Sequence, residues 1–191
     1  MNDTDRKTQY FLCWIYDGYE IVEHHADEPE GRGGLCFRVD DEALSDGDGF
    51  PATYDDSYVQ IDEKDYLHVI NLFRKTGEAM CECGDKVAKP LDRPIAEGDY
   101  LYDGMAYVHI DSVSADGQYR GEDFYYDTYD ASIYEETDDL DYIFDPDNSD
   151  AEFQLITEDV YREALNILRT AIAEITDYLE RLYKSKPHKN L

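Results

Sequence analysis

Carboxylates are the groups this sequence offers most freely for chemistry, and their distribution decides what kind. Asp and Glu number 46 against 17 Lys and Arg, a formal charge of −29 on 191 residues. Between Arg120 and Arg162 there is no basic residue while 15 acidic ones occur, and a second basic-free stretch between Arg38 and Lys64 holds nine. Paired carboxylates are so frequent that none singles itself out as a general acid or base. What the runs do imply is an electrostatic field. A surface of this sign repels nucleic acid and anionic membranes and attracts basic partners, while its self-repulsion costs folding free energy.

Other chemistry is tested by spacing. Asp145-Pro146-Asp147-Asn148-Ser149 begins like a calcium loop, but its sixth position is Asp150 where Gly is needed and its twelfth is Ile156 where Glu is needed. Asp46-Gly47-Asp48-Gly49 fails at Phe50. Neither is a dedicated calcium sensor. His24-His25, beside Glu23 and Asp27, are adjacent residues that a strand would aim at opposite faces, so they cannot chelate together. His68 falls on an expected helix and His109 on an expected strand, neither with a recognisable partner spacing. Cys13 or Cys36 as a nucleophile would need positive surroundings to hold a thiolate, and this field does the reverse. Cys81-Glu82-Cys83 cannot close a relaxed disulfide on itself and has no second close pair for zinc; reduced thiols in a cytoplasmic protein are expected. Gly31-Arg32-Gly33-Gly34 precedes a strand-like segment instead of opening a helix, so it reads as a turn and not as a phosphate cradle. We therefore expect no enzymatic activity, no metal site and no cofactor.

Low hydrophobicity with high charge would ordinarily imply disorder, but 18 Tyr, 7 Phe and one Trp are interleaved with Ile, Leu and Val. Tyrosine buries a ring and keeps its hydroxyl wet, so a core can form beneath an acidic skin. No leader-like start is visible, and no run approaches the ~20 apolar residues of a membrane span.

The organising feature is a near-repeat. Ile61-Asp62-Glu63-Lys64-Asp65-Tyr66 leads to Asn71-Leu72-Phe73-Arg74, and Ile156-Thr157-Glu158-Asp159-Val160-Tyr161 leads to Asn166-Ile167-Leu168-Arg169, an offset of 95 residues. Upstream, Tyr16-Asp17-Gly18 is echoed by Tyr102-Asp103-Gly104, and Cys36 to Asp40 by Asp123 to Asp127, in the same order. Each half reads as strands followed by a helix. The first half offers Tyr10 to Tyr16, Tyr19 to Glu23, Leu35 to Val39 and Tyr58 to Ile61. The second offers Tyr100 to Tyr102, Ala106 to Val113, Gly121 to Tyr129 and Ile133 to Phe144, with turns at Asp103-Gly104 and Asp116-Gly117. Asp62 and Thr157 are suited to cap the helices, and Gly77 to end the first one. The expected fold is α+β: a first β-module with its helix over residues 1–83, a linker over 84–98, and a second β-module with a long C-terminal helix over 99–191. By architectural analogy alone, each module is like a small SH3-type barrel.

That last helix carries Tyr161, Leu165, Leu168, Ile172, Ile175, Leu179 and Leu182 at 4-3-4-3-4-3 spacing. Ile167, Ala171 and Tyr178 widen the stripe beyond a strict coiled-coil seam, which favours packing on the first repeat; a homodimer through residues 161–182 is the alternative.

In a strand, residues two apart share a face. Where acids alternate with aromatics, as from Asp123 to Asp127 and from Asp139 to Tyr142, rings would face the core and carboxylates would form rows. The expected partner-binding residues are Asp123, Asp127, Asp130, Glu135, Glu136, Asp138, Asp139 and Asp141, with Tyr126 and Tyr129. The expected partner is a basic protein, such as a nuclease or other nucleic-acid-binding protein, whose groove such a row would imitate. Direct nucleic-acid or membrane binding is not expected. The competing readings are a surface that merely keeps the protein dissolved, and a small-molecule or metal-binding module seated between the repeats.

Overall fold

Strands form where aromatic and β-branched residues recur at alternate positions. The computed structural model describes residues 8–15, 18–25, 36–39, 43–46, 58–126, 131–140 and 152–186 as an α+β protein of antiparallel strands and two helices, the second long. It divides into two units. Unit 1 comprises Met1–Arg74 and Thr170–Leu191; unit 2 comprises Lys75–Arg169.

Unit 1 holds β1 (Thr8–Ile15), β2 (Gly18–His25), β3 (Cys36–Val39), β4 (Ala43–Asp46) and β5 (Tyr58–Ile61), in the spatial order β5-β1-β2-β3-β4. All four pairings are antiparallel, with Tyr10 opposite both Glu23 and Ile61, and Leu12 opposite both Ile21 and Val59. Helix α1 (Glu63–Asp85) starts at Asp62, whose carbonyl accepts from the N–H groups of Asp65 and Tyr66. Glu63 and Asp65 place negative charge in its first turn, where the macrodipole favours it. The buried residues of unit 1 include Leu12, Ile21, Val22, Val59 and Ile61 of the strands, Tyr66, Val69 and Phe73 of α1, and Ile172, Ile175 and Leu179 of helix α2 (Glu158–Ser185). The Tyr19 and Tyr183 rings meet edge to face at 6.1 Å, and the Tyr178 hydroxyl donates to Asp65 at 2.8 Å.

Unit 2 holds β6 (Lys89–Pro90), β7 (Tyr100–Tyr102), β8 (Ala106–Val113), β9 (Tyr119–Tyr126), β10 (Ala131–Asp139) and β11 (Gln154–Ile156), in the order β10-β9-β8-β7-β11-β6. Again a fifth strand flanks the first strand of a meander, and a helix follows. Thr157 caps that helix, its hydroxyl accepting from the Val160 N–H at 3.4 Å. The unit boundary falls after Arg74 in α1 and after Arg169 in α2, matching positions of the sequence repeat.

Among the described residues, both faces of the unit 2 sheet carry buried side chains. On one, Leu101, Val108, Ile110 and Leu140 form a buried cluster, with Leu91, Ile95, Tyr119, Phe153 and Leu155 against it. On the other, Tyr102, Tyr107 and Phe124 make a layer of rings: Tyr107 lies 4.9 Å from Phe124 at an interplanar angle of 3°, and Phe124 meets Tyr161 edge-on at 5.0 Å.

Several expectations change. Helix α1 does not stop at Gly77 but runs to Asp85. Gly77 and Gly84 are notches within it: a β-carbon would stand 1.7 Å from the Tyr126 ring at the first and 2.6 Å from the Tyr102 ring at the second. Residues 84–98, expected as a linker, hold the end of α1 and all of β6, and the loop beyond is fixed by Arg93, whose guanidinium donates to both oxygens of Asp99 at 2.7 and 2.6 Å. Strands β4 and β11 were not expected at all. The expected turn at Asp103-Gly104 is present, with Gly104 at φ 105° and the Asp103 carboxylate accepting from the N–H groups of Met105 and Ala106. The apolar seam of α2 is buried within the chain itself at Tyr161, Leu168, Ile172, Ile175 and Leu179. No helix among the described residues is long and apolar enough to cross a membrane.

Candidate functional site

The repeated signature Ile-x-Glu-x-x-Tyr builds the same small cluster in each unit. In unit 1, Ile61 closes β5 opposite Tyr10, Tyr10 lies opposite Glu23 on β2, and the Tyr10 ring stands 4.7 Å from Tyr66 in the first turn of α1. Burial pushes the Tyr10 phenol up, and Glu23 and Glu63 push it further, so this hydroxyl remains a proton donor between carboxylates.

In unit 2, Ile156 lies opposite Tyr100, Tyr100 opposite His109, and His109 opposite Glu122, one row across four strands. Tyr100 stands 5.2 Å from Tyr161 in the first turn of α2. His109 stacks on Tyr100 at 4.3 Å and 11°. Its Nδ1 lies 3.2 Å from Asp111 Oδ1. A register shift between Ile110 and Ser112 makes Asp111 the extra residue of a β-bulge, a device that re-aims a side chain. Gly121 sits opposite Ile110 and permits the close approach, since a β-carbon there would lie 1.8 Å from the His109 carbonyl oxygen. Burial raises the Tyr161 phenol far above its ordinary range, and Glu122, Asp123, Tyr100 and Asp111 raise it further. Tyr100 is raised by burial and then by Glu158, with Arg162 opposing. Arg162 itself is committed to Glu158, its Nε donating at 2.7 Å.

Chemically, each cluster sets two phenols, their rings in tilted contact, among carboxylates. The Cys81 and Cys83 thiols are pushed up by burial and donate to the carbonyls of Gly104 and Val160. Cys13 is buried on β1 between its cross-strand neighbours Tyr58 and Glu20, beneath the hydrogen bond that Tyr58 donates to Glu20 at 3.0 Å. Among the described residues no group of three or more His, Cys, Asp or Glu side chains has the geometry to hold a metal ion.

Of the residues expected to meet a partner, six lie among the described residues. Asp123 is only 4% exposed, on the face of β9 beside Val108. Tyr126 lies against Gly77 of α1. Glu135, Glu136, Asp138 and Asp139 lie along the backbone of β10. Asp127, Tyr129, Asp130 and Asp141 lie outside the described residues. The cluster residues Tyr10, Tyr66, Tyr100, His109, Asp111, Glu122 and Tyr161 were not singled out from the sequence as a site. The signal available in the sequence was the repeated motif, which supplies Tyr66 and Tyr161.

Compared with protein-family models, curated proteins and solved structures, the chain matches none.

Proposed function

We propose that this chain is a non-enzymatic acidic binding protein that occupies a basic surface of a partner protein, as a nucleic-acid mimic, inhibitor or immunity-type protein does. The observation that carries this reading is the doubled cluster of two tyrosines in tilted ring contact flanked by carboxylates, Glu23 and Glu63 in one unit and Asp111, Glu122 and Glu158 in the other. It belongs to a chain of net charge −29. Among the described bases, Lys86, Arg93, Arg162 and Lys184 are each paired with an acid. Phenols among carboxylates offer a cationic side chain both a ring face and a counter-charge.

The reading includes an internal duplication into two tandem modules, supported by the shared strand order and by matching unit boundaries at Arg74 and Arg169. A meander whose fifth strand returns to its first is the connectivity of an SH3-type barrel, an analogy of architecture that carries no function. Free thiols at Cys13, Cys81 and Cys83 favour a reducing compartment such as the cytoplasm.

The test is binding of the full chain to immobilised basic proteins across a salt series. We expect affinity to fall at least about tenfold from ~50 to ~500 mM salt, because the attraction is screened. The triple variant Glu63→Gln, Glu122→Gln, Glu158→Gln is expected to bind more weakly at low salt. Salt-independent binding, or binding unchanged in that variant, rejects the reading.

A further inference from the structure

The two repeats follow one another in sequence, but neither unit is built from one repeat alone. Unit 1 adds Thr170–Leu191 of the second repeat to the strands and first part of α1 from the first; unit 2 takes α1 from Lys75 onward from the first repeat. The exchange is reciprocal, position by position. Gly77, Met80 and Gly84 of α1 are buried in unit 2, and Ile172, Ile175 and Leu179 of α2, each 95 residues later, are buried in unit 1. Two helix-to-helix hydrogen bonds follow the same rule. In unit 1 the Tyr178 hydroxyl donates to Asp65 at 2.8 Å, and in unit 2 the Cys83 thiol donates to the Val160 carbonyl at 3.8 Å. Asp65 and Val160 are 95 residues apart, and so are Cys83 and Tyr178. One position of the first copy therefore bonds a second position of the other copy, and the converse also holds, which is the mark of an isologous interface between two copies of one subunit.

Resting on the duplication reading above, and not on the acidic-binding one, we propose that each repeat carries a self-complementary helix surface whose fitting partner is a second copy of the same repeat. The chain is such a homodimer joined end to end, with the second parts of its helices exchanged, so that each repeat completes the other's core. Fusion has let the copies diverge. In unit 2 the space beside the helix belongs to the rings of Tyr126 and Tyr102, against Gly77 and Gly84, where the matching positions of α2 carry Ile172 and Leu179. A helix bearing those side chains would collide with both rings, since a β-carbon alone would stand 1.7 and 2.6 Å from them. Unit 2 thus accepts the helix of the other repeat and rejects its own, a repulsive element that fixes the exchanged pairing.

The experiment uses the full chain with a site-specific protease sequence inserted after the exposed Asp92, cut once the protein has folded. The two pieces, residues 1–92 and 93–191, are expected to elute together close to the mass of the intact chain, 22.2 kDa, and to part only on denaturation. Two substitutions in the uncut chain give a second readout through amide resonances. Ile175→Val should shift those of β1 and β2, and Met80→Leu those of β8, each in strands of the opposite repeat. Pieces that part as two folded species, or Ile175→Val acting on β8 and β9 instead of β1 and β2, overturn the exchange and leave the duplication standing. Pieces that stay joined while only Ile175→Val acts across repeats, Met80→Leu leaving β8 unmoved, show a one-way crossing and overturn the duplication reading together with the proposal. Should the insertion prevent folding, the two substitutions decide alone.

Discussion

The ring of Tyr102 lies against Gly84, 2.6 Å from where a β-carbon on that glycine would stand. Tyr102 is fully buried, and its hydroxyl sits 3.0 Å from the Gly104 carbonyl oxygen and 3.2 Å from the Asp85 carboxylate, so the ring cannot swing aside without losing those partners. In an exposed helix, Gly→Ala would gain about 1 kcal/mol. Here overpacking against a fixed ring costs about 1–3 kcal/mol, and we predict a net destabilisation for Gly84→Ala. Urea unfolding reads it directly. A variant as stable as wild type, or more so, would show that the notch is not needed.

These glycines also mark the limit of what the sequence discloses. A glycine late in a helical pattern reads as a stop, and nothing local to Gly77 reports that Tyr126, 49 residues later, will occupy the space above it. Strands β4 (Ala-Leu-Ser-Asp) and β11 (three residues before a helix) are too short and too weakly alternating to announce themselves; their neighbours in the sheet define them. The helix starts were legible because capping is local: Asp62, Thr157 and their acidic first turns say enough. The Tyr10–Tyr66 and Tyr100–Tyr161 pairs were half legible. The motif supplies the helix tyrosine, but which strand tyrosine meets it depends on a register that only the paired sheet fixes.

Gly121 is predicted to be the least tolerant glycine described. A β-carbon there would meet the backbone carbonyl of His109 at 1.8 Å, and unlike a ring, that carbonyl belongs to the β8–β9 ladder. Gly121→Ala should cost about 3 kcal/mol or more, as backbone collisions at special positions do, and should separate His109 from Asp111. Thermal unfolding with amide exchange on β8 and β9 would show it. A loss confined to under about 1 kcal/mol would mean that the bulge can relax.

Glu20 is 4% exposed and accepts a hydrogen bond from Tyr58 across the row of β5, β1 and β2. A hydrogen bond to a buried carboxylate contributes more than a neutral one, so Tyr58→Phe should destabilise unit 1 by about 1–2 kcal/mol. Chemical denaturation followed at Trp14 provides the readout, and a variant within about 0.3 kcal/mol of wild type would contradict the assignment of that bond.

Asp99 is held well below the ordinary carboxyl range, first by the Arg93 guanidinium and then, against the cost of burial, by the Ala96 N–H. The folded-state value being depressed, its contribution is complete above the unfolded carboxyl pKa of about 3.9 and fades as pH falls through the lower folded value. Between neutral pH and about pH 3, wild type should therefore lose stability that Asp99→Asn, lacking this ionisation, loses to a smaller extent. Parallel acid-unfolding curves for the two proteins would remove Asp99 from the account.

Alkali should act through the buried phenols. Burial, followed by neighbouring thiols, phenols or carboxylates, raises Tyr102, Tyr107 and Tyr161 far beyond the usual range. Burial and the hydrogen bond to Asp65 push Tyr178 up to about 12. A raised folded value means stability that is whole below the unfolded phenol pKa of about 10 and lost as pH climbs toward the folded one. Each such group removes up to about 1.4 kcal/mol per pH unit in that window, so four together should unfold the protein cooperatively above ~pH 10 and leave it unaffected from about pH 7 to 9. Absorbance at the phenolate band should then show two classes: exposed tyrosines ionising first and reversibly, and a second group appearing only with loss of the helical signal. Tyr178→Phe, which removes the phenol bonded to Asp65, should reduce the second class by one without altering the first. A single smooth titration of all the tyrosines, with the fold intact, would show that these rings are not enclosed as the contacts of Tyr161 and Tyr178 require.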